Sequence, residues 1–165
     1  MNMPSNRPVE WSNDQIENAV LRHMDRLLRT AVAVLGCIAE AEDIVQETFL
    51  RLYEHQPQFT SQGHEAAWLI RVTVNLCKNR LKSHWWSKSA PLLDIYPAKS
   101  EFEHDLIETI HSLPHKYRAA IHLYYYEGYS TYEIADITSQ SEAAVRQQLS
   151  RGRQKIKDAL KGESR

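Results

Sequence analysis

At 165 residues and 19.2 kDa the chain is sized for one ordinary domain or two small ones. With 42% hydrophobic and 25% charged residues it has the balance of a globular protein, which excludes a wholly disordered chain. The longest apolar run, residues 31–39, falls far short of the roughly 20 residues of a membrane span. No apolar stretch follows the N-terminus as a secretory signal would require. Cys37 and Cys77, forty positions apart, read as reduced thiols of a cytoplasmic protein rather than as a disulfide scaffold.

The net charge of −1 conceals a pattern. Residues 36–65 carry −5, residues 68–88 carry +5, residues 99–136 carry −4 and residues 141–165 carry +4. Basic stripes suit phosphate backbones, and acidic segments suit a protein partner or solvent.

Five glycines, six prolines and no β-branched alternation predict an all-α chain. Ser12-Asn13-Asp14-Gln15 has the form of a capping box, and a helix should follow to about Leu35, with Gly36 as its stop. Ile16, Val20, Met24, Leu27 and Leu28 form its expected apolar face. A second helix is expected over 39–55, with Ala41, Ile44, Val45, Thr48 and Leu52 at core spacing, then a loop over 56–63 and a third helix over 64–83. Residues 85–102 lose periodicity and read as a linker between two small helical domains, 12–84 and 103–161. Four more helices are expected at 103–112, 115–127, 131–137 and 141–161, the third opened by the capping box Ser130-Thr131-Tyr132-Glu133.

Three constellations carry chemistry. The C-terminal pair of helices, with Ser139-Gln140 as its turn, fits helix-turn-helix packing. Val145, Leu149, Gly152 and Ile156 share one face of the second helix, and Arg146, Gln147, Ser150, Arg151, Arg153, Lys155 and Lys157 point elsewhere. Such a helix can lie in a major groove: Arg146, Gln147 and Arg151 would read base edges, and Arg153, Lys155 and Lys157 would meet phosphate. In the third helix Leu69, Val72, Leu76 and Leu81 approximate a buried stripe, opposite Arg71, Asn75, Lys78, Asn79 and Lys82. Cations alternating with asparagines suit a single strand of nucleic acid, and Trp85 and Trp86 add stacking surface. Trp68 reads as core. The third constellation is the acidic face Asp43, Gln46, Glu47 and Glu54, too polar for a core and a natural dock for a partner helix.

Other chemistries lack their parts. His111 and His115 flank Pro114 at a helix break, with no cysteine or carboxylate to complete a zinc set, so no metal or other cofactor is expected. There is no nucleophile elbow, H-E-x-x-H or glycine-rich phosphate loop, so no enzyme is expected.

Taken together the three constellations resemble a bacterial RNA polymerase sigma factor of the extracytoplasmic function (ECF) group of the sigma-70 family. AEDIVQETFLRLYEH (41–55) is similar to the family's polymerase-docking helix, and AWLIRVTVNLCKNRLK (67–82) to its −10 recognition and melting helix. Residues 112–160 are similar to its −35-reading domain. The resemblance implies core RNA polymerase as partner, with Asp43, Gln46 and Glu47 against the β′ clamp helices and Leu50 and Tyr53 beside them. It also implies contact with the β flap, promoter DNA as the nucleic acid, and a dedicated anti-sigma protein as inhibitor. Two departures stand out. Ser139 occupies a turn position where the family usually has glycine, and Glu65 stands where it usually has an aromatic, so no −10 sequence preference carries over. A stand-alone helix-turn-helix regulator would explain residues 112–160 but leave 41–82 without a role. A sigma-like scaffold that binds polymerase without reading promoters is the third reading.

Overall fold

The computed structural model describes residues 10–83 and 100–162; most of the expected linker, with Trp85 and Trp86, lies outside the described residues. The first helix begins on a reciprocal cap. Ser12 Oγ accepts from the Gln15 N–H at 3.2 Å, and Gln15 Oε1 accepts from the Ser12 N–H at 2.8 Å. From there α1 (Asn13–Leu35) runs to Gly36, whose φ of +74° favours a residue without a side chain. A Cβ at that position would also lie 2.8 Å from the His111 ring.

Met24 does not belong to the buried face of α1. Ala19, His23, Leu27, Thr30, Ala31 and Val34 point inward, Ile16, Val20 and Leu28 are half-buried, and Met24 is 38% exposed. A polar pair turns the helix this way, because His23 enters the interior to meet Glu65 at 2.8 Å.

Helices α2 (Ile38–His55) and α3 (Gln62–Ser83) complete a three-helix unit with α1. Ala41, Ile44, Val45, Thr48 and Leu52 are all buried, as their spacing predicts. In α3 the deep row is Ala66, Leu69, Ile70, Thr73, Val74 and Cys77. Of the expected stripe only Leu69 belongs to it; Val72, Leu76 and Leu81 are half-buried. The short Thr73 lets α2 approach closely: its hydroxyl donates to Leu69 O at 2.9 Å and lies 3.1 Å from the Thr48 hydroxyl. Both cysteines are free thiols in the interior, and burial pushes the Cys77 thiol far above its ordinary range.

The C-terminal unit contains α4 (Glu101–Ser112), α5 (His115–Ile121), α6 (Thr131–Thr138) and α7 (Glu142–Gly162). The single helix expected over 115–127 is instead α5 continued by one π turn, His122–Tyr126, closed by the Glu127 N–H on His122 O at 3.0 Å. The wider turn keeps His122 and Leu123 inside while Tyr125 and Tyr126 stand 58% and 53% exposed. A second reciprocal cap, Ser130 with Glu133, opens α6. Ser139 ends it in the left-handed region, φ 54° and ψ 46°, so the turn keeps its geometry without glycine.

The two units pack directly on each other, and one apolar cluster runs through both. Arg118 of α5 lies in the joint, 3% exposed. It donates to Val34 O of α1 at 2.6 Å, to His111 O at 2.8 Å and to Leu113 O at 3.1 Å. Beside it His122 Nε2 lies 3.1 Å from the Thr30 hydroxyl, and Arg26 Nε of α1 pairs with Glu127 at 3.0 Å.

Two measurements follow from these features. Burial holds the His122 imidazole below its ordinary range; Glu127 opposes this and Arg29 adds to it. The unfolded chain therefore takes a proton near pH 6.5 that the native state refuses, so stability is intact above that pH and is lost as the pH falls below it. His115 shifts in the same direction. Denaturant titrations from about pH 7.5 to about pH 5.5 should show falling stability, and His122→Asn should flatten part of the slope; an identical slope in the variant contradicts the assignment. At the α6 turn, Ser139→Gly should raise the unfolding free energy by about 0.5–1 kcal/mol, because the left-handed side-chain penalty it removes outweighs the chain entropy that glycine adds to the unfolded state.

Candidate functional site

The acidic face of α2 is half of a groove. Asp43, Gln46, Leu50 and Tyr53 are exposed and Glu47 is half-buried, its carboxylate taking Arg51 Nε at 3.1 Å. Leu50 and Tyr53 leave 55% and 56% of their surface in water, a large apolar content for a face otherwise made of carboxylates and an amide. Between α2 and α3 lies a groove of about 620 Å³, to which α3 contributes Leu76, Asn79, Arg80 and Ser83. An ion pair between Glu40 and Arg80 ties the start of α2 to the end of α3 and so fixes the groove's width. The contribution of α3 has no signature in sequence, because Leu76 reads there as an ordinary core residue.

On α3 itself the five expected nucleic-acid residues divide into two groups. Asn75, Asn79 and Lys82 are exposed. Arg71 and Lys78, one helical turn pair apart on the same side, are half-buried beneath α6. Arg71 pairs with Asp136, and Lys78 Nζ donates to Thr138 O at 3.0 Å. Thr138 is the last residue of α6, where unpaired carbonyls and the helix dipole favour a cation. Burial lowers the affinity of Lys78 for its proton, and neighbouring Lys82 adds to this. Lys78 therefore ties α3 to the end of α6, and Arg71, whose side chain keeps 40% of its surface in water, adds a surface ion pair with Asp136.

The loop between α2 and α3 is fixed by a residue that the sequence pattern did not single out. Trp11 donates Nε1–H to Pro57 O at 3.1 Å, and its backbone N–H donates to Gln56 Oε1 at 3.1 Å. Its ring meets Phe59 edge-on with centroids 5.7 Å apart, and Phe59 in turn touches half-buried Trp68 at 5.9 Å. Glu65, the departure from the family pattern, is buried and accepts from Arg22 at 2.9 Å and from His23 at 2.8 Å. Its carboxylate is thus an internal tie between α1 and α3. Trp11, Gln15, Asn18, Arg22, Glu65 and residues 57–59 line a hollow of about 310 Å³.

In α7, Val145, Leu149 and Gly152 are buried and Ile156 half-buried, the face that the sequence predicts. Arg146, Gln147, Ser150, Arg151, Arg153, Lys155 and Lys157 are all exposed. At 100° per residue Gln147 and Arg151 lie near the middle of the exposed face, with Arg146, Arg153 and Lys157 along one flank. Arg153 donates to the Tyr125 hydroxyl at 3.0 Å. Arg146 Nη2 donates to Glu142 Oε1 at 2.8 Å. Behind this flank α4, α5 and α7 enclose a groove of about 730 Å³ with an apolar floor of Leu106, Ile110, Ile121, Ile156 and Leu160 and a basic rim of Arg153, Lys157 and Lys161. Among the described residues no group of three or more His, Cys, Asp or Glu side chains gathers as a metal site, and no helix is long and apolar enough to cross a membrane.

Comparison with known proteins agrees with this geometry. Residues 19–87 match the family "Sigma-70 region 2" and residues 103–156 match "Sigma-70, region 4". The chain is 31% identical over 148 residues to "Probable RNA polymerase sigma factor RfaY" of Xanthomonas campestris pv. campestris, covering 79% of this chain and 36% of that protein. It is 31% identical over 157 residues to the ECF RNA polymerase sigma factor SigE of Mycolicibacterium smegmatis, covering 87% of this chain and 61% of that protein. In both cases it spans less than two thirds of the relative's length. The sigma factor RpoE of Bartonella quintana, crystallised with the anti-sigma factor NepR, shares the fold with a TM-score of 0.72 at 20% identity, over 90% of this chain and 98% of that one. With two helical units in the order and spacing of regions 2 and 4, the chain belongs to the ECF group of the sigma-70 family.

Proposed function

We propose that this chain binds core RNA polymerase and directs transcription initiation at promoters by reading −10 and −35 elements, acting in the cytoplasm as a regulatory protein rather than an enzyme. The observation that carries the reading is the union, in one chain, of the mixed acidic and apolar α2/α3 groove with a helix-turn-helix whose second helix exposes Arg146, Gln147, Ser150, Arg151, Arg153, Lys155 and Lys157. A regulator acting without polymerase would use the second feature and leave the first without a partner. The division of labour follows the two units, 12–84 and 103–161.

In this reading Asp43, Gln46 and Glu47 meet the β′ clamp helices, with Leu50 and Tyr53 supplying the apolar contact that a charged face alone would lack. Asn75 and Asn79 contact exposed bases of the −10 strand, while Arg71, Lys78 and Lys82 hold its phosphates. Lys78 is held by the end of α6, so its contact with the strand requires that bond to Thr138 O to break, whereas Arg71 can exchange its exposed partner Asp136 for phosphate. Arg146, Gln147 and Arg151, with Ser150 between them, read the −35 element; Arg153, Lys155 and Lys157 meet phosphate. The apolar groove with its basic rim supports docking of the polymerase β flap. The structural relative crystallised with NepR supports an anti-sigma partner competing for the same surfaces. Recovery from native cells only free or with polymerase, never with a third protein, would exclude such a partner.

The decisive experiment is reconstitution. The chain with core polymerase should yield specific transcripts from a genomic promoter library, whereas specific DNA binding by the chain alone would favour the stand-alone regulator. Glu47→Lys should weaken core binding roughly tenfold or more through like-charge and desolvation penalties, while the lost pair with Arg51 lowers folding stability by no more than about 1 kcal/mol. Asn75→Ala should lower open-complex formation and spare −35 binding; equal losses in both assays contradict its role. Arg146→Ala should remove about 1–3 kcal/mol of base discrimination at one −35 position. Lys157→Ala should weaken all sequences alike and reduce the salt slope by about one.

A further inference from the structure

We infer that Glu142 is a positioning residue for −35 readout, setting the guanidinium of Arg146 against its base; this rests on the −35 role proposed for Arg146. Glu142 is the first residue of α7 and the one carboxylate in that helix before Asp158. A negative charge at the leading end of a helix that meets phosphate opposes binding to every DNA sequence. Its geometry gives it a specific task. Glu142 Oε1 accepts the Thr131 hydroxyl at 2.7 Å, from the first residue of α6, and Arg146 Nη2 at 2.8 Å, one turn further along α7. These two bonds draw its carboxyl below the ordinary glutamate range.

The carboxylate therefore connects both helices of the helix-turn-helix to one exposed guanidinium. Arg146 keeps 68% of its side chain in water, yet one of its nitrogens is held and its remaining donors stay available. A long exposed arginine loses side-chain entropy when it settles on a base, and a tie made before the encounter reduces that loss. Thr131 supplies the fixed end: it belongs to α6, whose position is set by the Ser130 cap and by packing on α7. Without the Thr131 bond, Glu142 and Arg146 would be an ordinary i, i+4 surface pair worth little. Glu142 thus contributes base selectivity at the expense of general affinity. Those two effects have opposite signs, which a purely structural role would not produce.

The test uses holoenzyme assembled from core polymerase and the wild-type chain, Glu142→Ala, Arg146→Ala, the double variant and Glu142→Gln. Each is measured against −35 elements carrying all four bases at every position, starting from a sequence selected by the wild type out of a random library. Glu142→Ala should lower the base preference at the position read by Arg146 roughly three- to tenfold, the size expected for ordering one long side chain. The same variant should bind unselected DNA more tightly. The double variant should lose no more preference than Arg146→Ala, and Glu142→Gln, which still offers an acceptor oxygen, should retain most of it. If Arg146→Ala abolishes the preference while Glu142→Ala leaves it intact, or weakens all sequences together, the positioning role is wrong and the readout by Arg146 stands. If Arg146→Ala leaves every preference unchanged, the readout itself is wrong, and the role of Glu142 falls with it.

Discussion

Helix ends present carbonyl oxygens that the helix cannot satisfy, and here two of them, from the ends of α1 and α4, converge with the Leu113 carbonyl just beyond α4 on one buried guanidinium. Arg118 accepts this duty at the junction of α1, α4 and α5, where Val34 O, His111 O and Leu113 O surround it. A buried cation is expensive unless its donors are used, and the negative ends of α1 and α4 are the natural surroundings for one. The apolar residues around the joint, Leu35, Leu113, Tyr117 and Ile121, fill space but have no directional preference. The hydrogen bonds of Arg118 do, so they fix how the C-terminal unit sits on α1. His122 against Thr30 and Glu127 against Arg26 extend the same polar joint along α1.

That joint decides which functional side chains are free. With the C-terminal unit seated on α1, α6 comes to rest over one side of α3, and its Asp136 and terminal carbonyl meet Arg71 and Lys78. The other side of α3 remains open, forming a groove with α2 and presenting Asn75, Asn79 and Lys82. A single helix therefore serves three surfaces: the interior, the companion unit and the outer groove. The exposed face of α7 is independent of the joint, since it points away from the buried Val145 and Leu149 row.

The departures from the family pattern have local physical explanations. Ser139 occupies a left-handed turn with the Gln140 N–H bonded to Ala135 O at 2.9 Å, so the hydrogen bonding of the turn offsets the strain of a side chain there. Glu65 is buried, and Arg22 and His23 satisfy its carboxylate. The cost is an α1–α3 tie made of charges, where one unpaired member would leave a charge in the interior.

Features encoded over a few residues were legible in the chain alone. The caps at Ser12 and Ser130, the stop at Gly36, the buried row of α2 and the exposed face of α7 each depend on spacing within one or two turns, and each appears where the sequence puts it. Choices between neighbouring rows were not legible. In α3 the expected stripe shares Leu69 with the buried row, but Val72 and Leu76 give way to Ile70, Thr73 and Cys77, with Thr73 meeting Thr48 of a different helix. Met24 leaves its expected place on the inner face of α1 for the same kind of reason, since His23 turns inward to meet Glu65, 42 residues away. The π turn at His122–Tyr126 leaves no mark in a 3.6-residue pattern. The hold of Asp136 on Arg71, 65 residues apart, and the pooling of α4, α5 and α7 into one groove likewise come from packing. Sequence periodicity reports what each segment does with itself. Which faces stay free is settled by hydrogen bonds and contacts between segments, and those exist only once the chain is folded.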